Sequence, residues 1–131
     1  MSQENVEIVQ QMFDAWNRGD YDAAREFFDP GVEVESAVGA DFDGTYRGHA
    51  GLAKLMRFWG AFGSFRSDIG KSIPAGDAVV TLIHHHATGK RSGIDVDMRN
   101  WQVFTVRGDK IVRYGLFSTE AEALEGAGLS D

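Results

Sequence analysis

The chain has 131 residues, of which 43% are hydrophobic and 25% are charged, as is usual for one globular domain with its own core. We therefore expect a single domain over residues 1–131. The sequence has no cysteine, which excludes disulfides, thiolate metal ligands and a cysteine nucleophile and favours the cytoplasm. The net charge of −7, with scattered basic residues, argues against nucleic acid, and no apolar run is long enough to predict a membrane span.

Three helices are predicted in the first half of the chain. Apolar residues at three- and four-residue steps indicate an amphipathic helix over 3–18, which Gly19 can end. Asp20 can cap a second, shorter helix over 21–28, and the same spacing predicts a third helix over 49–62.

The second half of the chain alternates as strands do. Strands are predicted at 32–36, 65–73, 79–88, 94–106 and 111–118, with a final short helix over 119–126. Tight turns between the last four strands imply an antiparallel meander, so the order ααβαββββα predicts an α+β fold with helices on one face of the sheet. Strands that are apolar on both sides suggest that the outer face is buried as well, most simply in a homodimer.

The strand over 94–106 carries the most distinctive polar pattern. Because side chains two apart share a face, Asp97, Arg99 and Trp101 would line up as an acid, a base and an aromatic group. The opposite face, with Met98 and Phe104, is more apolar and could be the core side, which would leave the two charges in water. Alternation alone leaves both orientations open.

Three consecutive histidines occupy the strand over 79–88. His84 and His86 share a face, but no acid stands at a spacing that local geometry makes a third ligand, so no metal site is predicted. His85 aligns with Thr81 and Ile83 and is expected to point inward. Such a histidine is either a hydrogen-bonded core residue or an acid or base in a site.

Several short motifs carry a resemblance that spans nearly the whole chain. They are Glu4-Asn5-Val6, Trp16-Asn17-Arg18-Gly19-Asp20-Tyr21, Tyr46-Arg47-Gly48, Gly108-Asp109-Lys110-Ile111-Val112-Arg113 and Glu122-Ala123-Leu124. With the element order, they resemble the SnoaL-like branch of the nuclear transport factor 2-like superfamily. That superfamily also holds ketosteroid isomerases, polyketide cyclases and limonene epoxide hydrolase.

The resemblance implies a cone-like curved sheet whose concave side, closed by helices, holds an apolar pocket. Matched to the ketosteroid isomerases, this chain has Met12, Ser36 and Trp101 where they carry catalytic residues, so their reaction is not expected. Leu116 stands nearest to the third acid of limonene epoxide hydrolase, so that triad is also incomplete. The same match turns Trp101 inward, and Asp97 with it.

These expectations define a candidate site for a small, largely apolar molecule. Asp97 would act as the base, Arg99 would hold it or stabilise negative charge, and His85 or Tyr114 would give the proton. The resemblance implies a pocket wall built from Met12, Trp16, Ser36, Trp59, Trp101, Tyr114 and Leu116. The expected function is cofactor-free isomerisation, cyclisation or hydrolysis by proton transfer, and the alternative is a non-catalytic ligand-binding or dimerisation module.

Overall fold

A computed structural model describes residues 2–38, 43–59, 64–89 and 92–128, without side-chain detail at residues 2, 57–59, 64 and 65. The helices are α1 (Ser2–Asn17), α2 (Tyr21–Glu26), α3 (Gly48–Trp59) and α4 (Glu120–Gly126). The strands are β1 (Phe28–Ala37), β2 (Gly44–Arg47), β3 (Ser64–Ala75), β4 (Ala78–Thr88), β5 (Asp95–Arg107) and β6 (Lys110–Phe117). The predicted α+β architecture is confirmed, with one short added strand, β2.

The six strands form one open sheet in the order β2-β1-β6-β5-β4-β3. All neighbours are antiparallel except β1 and β6, which run parallel. The added strand β2 lies between the predicted strand over 32–36 and the predicted helix over 49–62, where no element was predicted, and residues 39–42 of this stretch fall outside the described residues. It forms because Tyr46 pairs with Val34 on the edge of the sheet.

The junction of the first two helices follows the sequence prediction. Gly19 has a φ of 80°, a conformation that favours glycine, and its N–H donates to Trp16 O at 3.0 Å. The Asp20 side chain accepts from Ala23 N at 3.2 Å and caps α2. The predicted end of α2 was wrong, because Phe28 already belongs to β1 and pairs with Ile111.

Helices α1 and α3 cover one face of the sheet, which we call the inner face. Helix α1 packs against β3 and β4, while α3 packs against β1. The main core lies between them and contains Val9, Met12, Phe13, Trp16, Phe28, Val34, Leu52, Leu55, Ile83, Phe104 and Leu116. The predicted layer arrangement is therefore confirmed.

The opposite face, which we call the outer face, carries a second apolar cluster beneath α4. Val80, Val103 and Phe117 pack there with Ala123 of that helix. The Phe117 ring lies so close to Gly115 that a Cβ there would come within 2.6 Å of it. The chain's own last helix thus covers part of the face assigned to a partner, and the homodimer stays a prediction.

Among the described residues, no helix is both long enough and apolar enough to cross a bilayer.

Candidate functional site

A small cavity lies between the helices and the inner face of the sheet. Its volume is about 40 Å³, room for two or three water molecules. Side chains of α1, α3 and β1 form its apolar wall: Met12, Phe13, Trp16, Phe28, Leu52, Leu55 and Met56. The sheet supplies four polar residues, Ser67, His85, Gln102 and Tyr114. An apolar pocket with a few convergent polar groups is the usual form of a small-molecule site.

His85 is the centre of the polar end of this cavity. It is only 3% exposed, and both of its ring nitrogens have partners. Nδ1 lies 2.9 Å from Ser67 Oγ, and Nε2 lies 3.0 Å from Asn100 Oδ1. Since an amide oxygen can only accept, Nε2 carries the proton and Nδ1 accepts from the Ser67 hydroxyl.

The network continues from Asn100 to a phenol. Gln102 Nε2 donates to Asn100 Oδ1 at 3.1 Å, and Tyr114 Oη donates to Gln102 Oε1 at 2.9 Å. Gln102 Nε2 also lies 3.5 Å from His85 Nε2, and no buried side-chain polar atom among the described residues lacks a partner. The buried polar atoms at this end of the cavity therefore each have at least one hydrogen-bond partner as the structure stands.

Strand pairing explains why these residues meet. Ser67 of β3 stands opposite His85 of β4, and residues directly opposite each other share a face of the sheet. Asn17, the last residue of α1, fixes this edge by bonding both backbone groups of Ser67, its Nδ2 donating to the carbonyl at 2.7 Å and its Oδ1 accepting from the N–H at 2.9 Å. The end of the helix thereby sets the position of the serine.

Burial shifts the pKa of two groups in the site. Desolvation lowers the pKa of His85 from 6.5, helped by the nearby His84 and His86 and opposed by the hydrogen bond to Asn100. Burial raises the pKa of the Tyr114 phenol far above its usual range. At neutral pH the cavity therefore offers a neutral imidazole and a protonated phenol.

The predicted orientation of β5 was wrong. Asp97 and Arg99 are exposed, and Trp101 packs in the outer cluster, whereas Met98 packs against the main core and Asn100 is buried. The physical reason is that burial of Phe104 and of two hydrogen-bonded amides stabilises the fold, whereas burial of Asp97 and Arg99 would remove two charges from water. Asp97 therefore cannot act as a base in this cavity.

The other predicted residues divide into three groups. Met12, Trp16, His85 and Tyr114 line the cavity. Ser36 and Leu116 are buried but are not among its lining residues, and the Ser36 hydroxyl instead donates to Asp43 Oδ1 at 3.2 Å. The side chain of Trp59 falls outside the described residues.

Sequence reasoning missed Ser67, Asn100 and Gln102. The signal for the two amides was available, because Asn100 and Gln102 stand on the same face of the strand as Met98 and Phe104, which was recognised as the more apolar face. Ser67 carried no such signal, since only the register with β4 places it beside His85.

The sequence over residues 9–114 matches the model of the SnoaL-like domain, and the chain belongs to that family. A comparison with curated proteins gives no significant match.

Several solved structures share the fold over their whole length. TerC, co-crystallised with polyporic acid, is 22% identical with a TM-score of 0.76, over 95% of this chain and 98% of that one. AclR from Streptomyces galilaeus, a candidate hydroxylase, is 19% identical with a TM-score of 0.78 over 100% of both chains. A candidate SnoaL-like polyketide cyclase from Jannaschia sp. CCS1 is 21% identical with a TM-score of 0.74, over 98% and 94%. At such identities the likeness shows the fold alone.

Proposed function

We propose that this protein binds a small, largely apolar molecule in the inner cavity and moves a proton to or from it through Ser67 and His85. The observation that carries the proposal is the 2.9 Å contact between Ser67 Oγ and His85 Nδ1 at the polar end of a mostly apolar cavity. A hydroxyl, a base and an amide that orients the base follow the logic of an activated side chain. A candidate SnoaL-like polyketide cyclase is among the structures that share this fold.

The proton path follows from the hydrogen bonds. When Ser67 Oγ takes a proton from a ligand C–H or O–H, its own proton passes to His85 Nδ1. The imidazolium that forms keeps its Nε2–H bond to Asn100 Oδ1, which stabilises the charge. The lowered pKa of His85 keeps the imidazole free to accept at neutral pH.

Tyr114 is the donor available for the negative charge that develops on the ligand. It lines the same cavity, and its raised pKa keeps the phenol protonated. In the present structure the phenol donates to Gln102, so it would exchange that acceptor for a ligand oxygen. The proposal thus assigns Ser67 and His85 to proton transfer and Tyr114 to stabilisation of an oxyanion.

A second candidate is a binding module without catalysis. The volume of about 40 Å³ is far below the roughly 300–1,000 Å³ of a drug-sized site. A ligand larger than a few atoms must therefore displace wall side chains such as Met56. Binding without turnover would favour this second function.

Deuterium exchange into a carbon acid tests the first function without knowledge of the natural substrate. Cyclohexanone, an apolar ring with one carbonyl, would be incubated with the protein in D₂O, and α-deuteration followed by NMR. We expect the protein to catalyse this exchange. The rate of α-deuteration should fall about 10²-fold or more in His85→Gln and in Ser67→Ala. Ser72→Ala, on the same strand but not lining the cavity, is the matched control.

The location of binding needs its own variant. Met56→Trp would fill part of the cavity, and calorimetric binding of cyclohexanone should then be lost. Binding without exchange supports the module. Binding that survives Met56→Trp, or exchange that survives both His85→Gln and Ser67→Ala, contradicts the proposal.

A further inference from the structure

The outer face carries a cluster of metal-ligating groups that the cavity does not use. His84 and His86 of β4 and Asp97 of β5 each offer a ligand atom, and these atoms lie within 4.8 Å of one another. The spacing of residues in the sequence did not predict this cluster, because Asp97 comes close to the histidines only through the pairing of β4 with β5, which places it opposite His86.

The distances are close to those of a metal site. His86 Nδ1 lies 2.7 Å from Asp97 Oδ1, and the rings of His84 and His86 have centroids 4.3 Å apart. Ligand atoms around a tetrahedral ion with bonds of about 2.0–2.1 Å lie about 3.3–3.4 Å apart. Replacing the shared proton by an ion therefore needs only small side-chain movements.

A second, independent feature points to the same site. Asp68 Oδ2 lies 3.5 Å from the other ring nitrogen of His86, and Arg66 Nε donates to Asp68 Oδ1 at 3.0 Å. A carboxylate on the far nitrogen of a ligating histidine sets its tautomer and raises its basicity, as is usual around bound metals. His86 is thus placed between a first carboxylate that can ligate and a second that can orient it.

The chemistry of the donors selects the class of ion. Two imidazoles and one carboxylate suit zinc and its first-row neighbours, whereas magnesium and calcium require mostly oxygen ligands. An open recess lined in part by His86 and Asp97 leaves room for water on the remaining positions. Arg99, opposite His84, is a positive charge on the same face and works against binding.

We propose that His84, His86 and Asp97 form a binding site for one first-row divalent transition metal ion, with Asp68 as a positioning residue. The site lies on the outer face and is separate from the inner cavity, so neither proposal depends on the other. Its bound ion would join β4 and β5 and stabilise the folded chain.

Titration of the untagged, chelator-treated protein with Zn²⁺ and Co²⁺ tests the proposal. Calorimetry should give one ion per chain, and Co²⁺ should acquire the visible absorption of a nitrogen-containing site. His86→Ala and Asp97→Asn should each weaken binding at least as much as Asp68→Asn, for which we expect about 10–100-fold. The side chains of His86 and Asp97 are 43% and 68% exposed, so the variants should fold, which circular dichroism checks.

Asp95→Asn is the matched control, because Asp95 lies two residues before Asp97 on the same face of β5 and the substitution removes the same charge. Its affinity should stay close to that of the unmodified protein. Ring ¹⁵N resonances of His84 and His86 should shift with Zn²⁺ while that of His85 moves little. The proposal is overturned if Zn²⁺ does not bind below millimolar concentration, if His86→Ala binds as tightly as the parent, or if Asp95→Asn weakens binding as much as Asp97→Asn.

Discussion

Two histidines that are neighbours in the sequence meet opposite surroundings on the two faces of β4. His85 is 3% exposed and bonded to a hydroxyl and an amide, whereas the His86 side chain is 43% exposed and lies between two carboxylates. The inner position disfavours the charged form of the His85 imidazole, and the outer position leaves the His86 imidazole open to solvent beside carboxylates that could share a metal ion with it. One step along a strand is therefore enough to change the chemistry of the same side chain.

The largest expected effect separates the two faces of β5. Phe104→Ala should cost about 3–5 kcal/mol of unfolding free energy, because the ring is fully buried between Phe13 and Tyr114. Trp101→Ala, on the half-buried outer side, should cost only about 1–2 kcal/mol. Urea unfolding measures both, and a larger loss for Trp101 than for Phe104 would reverse the assignment of faces.

The polar network should give the next largest effect. Gln102→Leu leaves the Tyr114 hydroxyl without its acceptor and removes one donor to Asn100. We expect a loss of about 2–4 kcal/mol from the unpaired buried groups. Thr105→Val, on the outer side of the same strand, should change stability by less than about 0.5 kcal/mol. Equal effects in urea unfolding would show that the network contributes nothing.

The inner histidine should make stability depend on pH. The pKa of His85 in the folded chain lies below its unfolded value of 6.5, so below pH 6.5 the unfolded chain binds a proton more readily than the folded chain does. Stability should fall as the pH drops below 6.5, by at most about 1.4 kcal/mol per pH unit for this one proton. In the presence of chelator, His85→Asn should make the unfolding free energy depend less on pH between pH 7 and 5. An unchanged pH dependence would contradict the lowered pKa of His85.

The smallest expected effect lies on the outer face. Asp97→Asn, measured in chelator, should lower the unfolding free energy by less than about 1 kcal/mol, because its contact with His86 is exposed and screened. Thermal unfolding with and without Zn²⁺ separates the stability that comes from the Asp97–His86 contact from the stability that comes from a bound ion. A loss of several kcal/mol without metal would mean that Asp97 is held as a buried ion pair.

The sequence predicted the helices, most of the strands and the family because those signals are local. The Gly19–Asp20 junction and the inward His85 followed from turn chemistry and from alternation with Ile83. The face of β5 did not follow, because both of its faces carry large apolar residues, and the match through Trp101 selected the wrong one. Alternation has a period of two, so one wrong anchor reverses the whole strand.

Both sites depend on pairing between strands, which a single sequence does not reveal. Ser67 meets His85, and Asp97 meets His86, only through the register of β4 with its two neighbours. Of the residues predicted to carry chemistry, His85 and Tyr114 lie at the cavity, whereas the charged pair of β5 does not.

Ring ¹⁵N NMR of the histidines during a cyclohexanone titration tests the central assignment most directly. Before addition, His85 should be neutral near pH 7 with its proton on Nε2. On addition, its Nδ1 signal should shift with the ligand, while His86 stays unchanged and the Ser67→Ala variant loses the effect. A ligand that moves His86 but leaves His85 unchanged would contradict the account.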